Sequence, residues 1–187
     1  MSDKYPTRVI PQYLDLLGHQ RETAFQALEG LSENQIWQRP EPGEWSIGEI
    51  LNHTQLLFSS IFPLVRLTWG GLKWAGKLWR GRDYHTEIED TYQKETFPMW
   101  VGFLWKPKVG TEKPLPLAVL KDELREEHAQ VRIFYEDKPE DLLGNLFLFD
   151  PLFGFINLIV TLQIGIYHDQ LHYEDVVAMA NRLKGTA

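Results

Sequence analysis

Apolar residues return at helical spacing in four separate stretches of this chain, with polar breaks between them. Leu14, Leu17, Ala24, Phe25 and Leu28 share one face of a segment from about Val9 to Gly30, which predicts a first amphipathic helix closed by Gly30. Ser32 and Gln35 have the spacing of a capping box for one short turn, and Arg39-Pro40-Glu41-Pro42-Gly43 reads as a loop. The next start is more explicit. Ser46 and Glu49 repeat the capping-box spacing, Trp45 and Ile50 occupy the positions of a hydrophobic staple, and a second helix is predicted from Ile47. Pro63 lacks an amide proton and is expected to kink or end that helix.

From Leu67 to Pro116 the periodicity fades over a stretch too long for an ordinary connection, which predicts a functional insertion. Leu117, Leu120, Leu124, Val131 and Tyr135 then mark a third helix ending before Pro139. A fourth is expected to follow the Asp150-Pro151-Leu152-Phe153-Gly154 turn and to run toward Arg182. Apart from a short ambiguous run from Leu146 to Phe149, no alternating strand pattern persists, and no internal repeat is present. The expectation is an all-α four-helix bundle in one domain, 1–187, with a long insertion at about 67–116 between helices two and three.

Composition narrows the function classes. A chain of 187 residues, 43% apolar, suffices for one core. A net charge of −7 argues against a nucleic-acid partner, which requires clustered cations over a broad surface. With no cysteine, disulfides, thiolate ligands and a cysteine nucleophile are excluded. The start, MSDKYPTRVI, lacks the features of a secretory signal, so the expected location is cytoplasmic. The uncharged stretch from Pro151 to Tyr167 falls short of a comfortable membrane span and contains Asn157 and Gln163, so it reads as a buried central helix.

The candidate chemistry lies in three histidines. His168 and His172 are four apart and share a stripe with Ile164, Gly165, Val176 and Met179. His53 sits between Ile50 and Leu57 on the inward face of the second helix. Taken singly, each is an ordinary core histidine bonded to a carbonyl or carboxylate. Taken together they form a candidate three-nitrogen metal site that leaves coordination positions open.

Trp45-Ser46-Ile47-Gly48-Glu49-Ile50-Leu51-Asn52-His53, the later Pro151-Leu152-Phe153-Gly154 and His168-Asp169-Gln170-Leu171-His172 together resemble the DinB-like superfamily over about two-thirds of the chain. The resemblance implies a four-helix bundle in which His53, His168 and His172 bind a divalent metal such as zinc or nickel. It also implies a metal-dependent enzyme, a hydrolase or a thiol-dependent transferase acting on a small molecule, and a homodimer. Many relatives follow the last histidine with an Arg-x-Gln-like sequence, where this chain has Tyr173-Glu174-Asp175. Glu174 and Asp175 are therefore read either as groups that orient a ligand or as solvent-facing charges.

Other patterns compete. His168-Asp169-Gln170-Leu171-His172 superficially resembles the H-E-x-x-H of metallopeptidases, with an aspartate one methylene too short. Gly71 to Lys77 fits part of a phosphate-binding loop, but Leu78 replaces the hydroxyl residue and no strand precedes it. Arg66 to Arg82 holds five cations, three tryptophans and no acid, and reads as a membrane or partner contact, a lid for an anionic substrate, or a solvated edge. His128, on the apolar stripe of the third helix, is a core histidine or an acid, base or outer-shell group near the metal.

The leading expectation is a cytosolic metalloenzyme that activates water or an external low-molecular-weight thiol, its catalytic acid and base unassigned. The alternative is a noncatalytic, metal-stabilised helical module that meets a partner or membrane through the Trp- and Lys-rich segment.

Overall fold

The computed structural model describes residues 8–90, 92 and 105–185. Helix α1 (Val9–Ala27) is followed by the short α2 (Glu33–Trp37), the long α3 (Ile47–Gly76), α4 (Leu117–Glu136), the short α5 (Glu140–Leu143), a hairpin of β1 (Phe147–Asp150) and β2 (Gly154–Asn157), and α6 (Leu158–Gly185). The four long helices form a closed ring in which α1 packs on α6, α6 on α3, α3 on α4 and α4 back on α1.

Local chemistry sets the element starts. Both capping boxes form: Ser32 with Gln35 opens α2, and Ser46 with Glu49 opens α3. Glu140 accepts from the Val9 amide at 3.1 Å, and Glu33 accepts from the Leu117 amide at 3.0 Å, so carboxylates from elsewhere in the chain cap α1 and α4. Asn157 accepts from the Val160 amide at the start of α6. Gly30 closes the turn after α1 with a φ of +84°, a conformation that disfavours a side chain.

Two expectations are corrected. Helix α3 runs through Pro63 to Gly76, so the first ten residues of the expected insertion, 67–76, are helical. Pro63 lies on the exposed side, as does Ser59, whose carbonyl it leaves without the usual helix amide, while Val65, Trp69 and Gly76 keep the other side on the bundle. The turn at Asp150 to Gly154 closes the β hairpin and does not open the last helix, which starts at Leu158. The ambiguous run from Leu146 to Phe149 thus falls mostly in β1, which pairs with β2 so that Phe149 stands opposite Phe155.

Beside a small cluster of Ile156, Val160 and Ile164, the core divides into two large apolar clusters, one around Phe25, Leu51, Leu124 and Val176, the other around Leu17, Phe58, Val131 and Ile166. Between them every long helix contributes polar residues: Gln20 from α1, His53 and Thr54 from α3, His128 from α4, His168 and Asp169 from α6. A polar layer therefore crosses the bundle at mid-height, where the apolar stripes are interrupted on each helix.

Candidate metal centre

Helices α3 and α6 approach closely enough to face their histidines because Gly165 offers no side chain at the crossing. A Cβ there would lie 2.8 Å from the Phe58 ring. A second close approach, Gly48 against the ring of Trp37, seats the first turn of α3 on α2. One and a half turns further along α3, His53 is buried to 1% exposure, and its Nε2 lies 3.1 Å from Nε2 of His168. His172, one turn along α6, sets its ring centroid 4.7 Å from that of His53 and 4.6 Å from that of His168. One nitrogen from each of the three lies within 4.8 Å of the others. His172 is the partly exposed member, so the site opens on its side.

His53 Nδ1 lies 2.7 Å from the Trp105 carbonyl, which can only accept, so the proton is on Nδ1 and Nε2 presents a lone pair. Trp45 packs on the same ring at a centroid distance of 4.8 Å. Burial, with His168 nearby, lowers the pKa of His53 to about 4, opposed in part by the Trp105 bond. Burial and its two histidine neighbours bring His172 to about 2. Both rings are neutral near pH 7, the form in which an imidazole binds a cation.

Behind the rings lies Asp169, with no exposed surface. Its Oδ2 is 3.3 Å from His128 Nε2 and its Oδ1 is 3.5 Å from His168 Nδ1. Burial alone would raise its carboxyl, but the adjacent His128 and His168 hold it below the usual carboxylate range. Tyr173, fully buried beside Asp169 and Thr54, has its phenol raised well above the ordinary value by burial and the Asp169 charge. None of these Asp169 contacts is a hydrogen bond of good geometry among the described residues, and the Tyr173 hydroxyl also lacks a partner there.

These orphaned atoms test whether a cation fits. If His168 directs its Nε2 proton at the lone pair of His53, its Nδ1 is bare and faces a carboxylate oxygen, a buried clash of two acceptors. An added positive charge, proton or metal ion, relieves that clash. A metal ion also accounts for the third imidazole, His172, which a proton has no need of. Nitrogens arranged tetrahedrally about zinc stand about 3.3 Å apart; His53 and His168 are at 3.1 Å, and with His172 the three lie within 4.8 Å of one another. The donor set therefore suits a divalent ion.

The structure brings together His53, His168 and His172 and turns the remaining candidates elsewhere. Asp169 faces away from the mouth of the site into the core, which removes the metallopeptidase-like reading, since a general base must reach the reacting water. Glu174 and Asp175 are exposed, so the solvent-facing reading holds for both. His128 reaches the centre only through Asp169. Residues 105–110 return over the start of α3, where Asn52 Oδ1 accepts from the amides of Lys108 at 2.8 Å and Val109 at 3.4 Å. The extended segment 82–90 lies along α6, with the Ile88 amide bonded to Gln163 and the His85 carbonyl to Asn157. Those bonds explain the two polar residues inside the uncharged run.

A bundle of this architecture has counterparts among known proteins. YfiT from Bacillus subtilis, described as a probable metal-dependent hydrolase with an unusual four-helix bundle topology, superposes with a TM-score of 0.68, covering 98% of this chain and 93% of its own at 12% identity. The sequence profile of the DinB superfamily matches residues 16–176, and the chain belongs to that superfamily. No curated protein matches it.

Proposed function

We propose that the protein is a metal-dependent hydrolase of a small molecule, with His53, His168 and His172 as the ligands of its divalent ion. The observation that carries this reading is the convergence of three imidazoles from two helices within 4.8 Å, two of them held neutral by burial. When bound, a divalent ion with three imidazole ligands supplies Lewis acidity and an open position at which a water becomes acidic enough to serve as nucleophile. The chain's own residues do the preparatory work. The Trp105 carbonyl fixes the His53 tautomer; Asp169 Oδ1, 3.5 Å from His168 Nδ1, would accept that proton once Nε2 is given to the ion, and His128 Nε2 lies 3.3 Å from the far oxygen of that carboxylate. His172, partly exposed, marks the side from which substrate enters. The YfiT description favours hydrolysis over the other activities of which such a centre is capable.

The test is elemental analysis of untagged protein together with a panel of small esters, amides and phosphoesters. We expect bound metal and a hydrolytic rate that His172→Ala abolishes. Activity equal in parent and variant would refute the reading, and activity that appears only with an added low-molecular-weight thiol would replace hydrolysis by transfer.

A further inference from the structure

The C-terminal half of α3 is apolar on two opposite sides. Its inner side, Phe62, Val65, Trp69 and Gly76, packs on the bundle through Phe134 and Leu146. Its outer side carries Leu64, Leu67 and Trp74, which at 100° per residue fall within one quadrant directly opposite, and Leu78 follows in the 3-10 turn Lys77–Trp79 that continues the helix. Leu64 is 52% exposed, Leu67 72%, Trp74 67% and Leu78 77%, in a line about 21 Å long by helical rise. Isolated exposed leucines are ordinary, whereas an aligned row with a tryptophan marks an interaction surface.

Arg66, Lys73 and Lys77 form a second exposed line along one flank of that row, Lys73 seven and Lys77 eleven residues after Arg66. Among the described residues Lys73 and Lys77 meet no carboxylate, and Arg80, just beyond, pairs with Asp141. The segment from Arg66 to Arg82 holds five cations and no acid, in a chain whose net charge is −7. Strand β1 packs beside α3, and its Phe147 and Phe149 are exposed.

We propose that this face docks peripherally on an anionic phospholipid surface, the leucines and tryptophan entering the headgroup region and the flanking cations meeting lipid phosphates. A basic flank complements a negative bilayer, and tryptophan favours the interface between headgroup and hydrocarbon. A symmetric contact with a second copy sets this cationic line near its own image, which repels. No helix among the described residues is long and apolar enough to cross a membrane, so the contact is superficial. It is independent of the metal centre.

The experiment is co-sedimentation of the full chain with vesicles of phosphatidylcholine alone and of phosphatidylcholine mixed with phosphatidylglycerol. We expect binding to the mixed vesicles only, weakened by salt. Lys73→Gln with Lys77→Gln should reduce it about thirtyfold, from the strength of cation attraction at such surfaces. Trp74→Ser with Leu78→Ser should abolish it. All four positions are exposed, and unchanged circular dichroism and metal content verify that the variants fold. Equal partition into both vesicle types, no binding by the parent, or unaltered binding by both variants would overturn the proposal. So would a concentration-dependent dimer that the Trp74→Ser, Leu78→Ser variant dissolves, since the face would then belong to a second copy.

Discussion

Asp169 places a charge where the bundle has no water, and it survives there because His128 and His168 flank it. Replacing it by Asn removes the negative charge and leaves one acceptor oxygen for two histidines, so we expect Asp169→Asn to weaken metal binding by about 10- to 100-fold, measured by competition with a chelating dye. Affinity equal to the parent would count against a positioning role. Glu127, next to His128 on α4, has a buried, unpartnered Oε2. Its carboxyl is raised to about 8 by burial, then by Asp169 and Glu123. The folded chain therefore keeps the Glu127 proton after the unfolded chain has released it, and stability falls as pH climbs from the ordinary carboxylate range toward about 8. Glu127→Gln removes that loss. Denaturant titrations should show the variant gaining on the parent by about 2 kcal/mol between acidic and mildly alkaline pH, after allowing for partial solvent contact; a constant difference would refute it. The histidine ligand candidates were legible because spacing and apolar neighbours specify an inward direction. Asp169 was not, since it lies 100° around the helix from His168, and only the uncharged run before it signals that α6 is enclosed on every side.

At the scale of elements, the crossing of α3 and α6 is set by Gly165. Alanine is a better helix former by about 1 kcal/mol, but its methyl would meet the Phe58 ring at 2.8 Å, and overpacking a core costs about 1–3 kcal/mol. We expect Gly165→Ala to lower the melting temperature and to weaken metal binding, because parting the helices separates His53 from His168. A variant as stable as the parent, with unchanged affinity, would show that Phe58 yields. The same scale explains what pattern reading missed. Residues 67–76 are helical, yet their apolar residues lie on both faces, which erases the period by which a helix is recognised. Four-residue strands such as β1 and β2 are too short for alternation to stand out. Capping boxes, by contrast, depend only on neighbours three apart, and both formed as expected.

For the whole molecule, the proposed ion joins two helices whose histidines lie more than a hundred residues apart in sequence. A ligand that binds only the folded state raises its stability by mass action. Chelation should therefore lower the melting temperature, readdition of the ion should restore it, and His53→Ala should abolish the response. A melting temperature indifferent to chelator in a preparation shown to contain metal would argue against these ligands. The stitching of residues 105–110 onto Asn52 and His53 has its own consequence for anyone redesigning the topology. New termini opened in the turn at Thr111 and Glu112 would leave every stitch in place, so such a permutant should keep its ion. A cut between Trp105 and Lys108 would part the carbonyl that orients His53 from the amides that anchor it, and the imidazole would be free to swap which nitrogen carries its hydrogen.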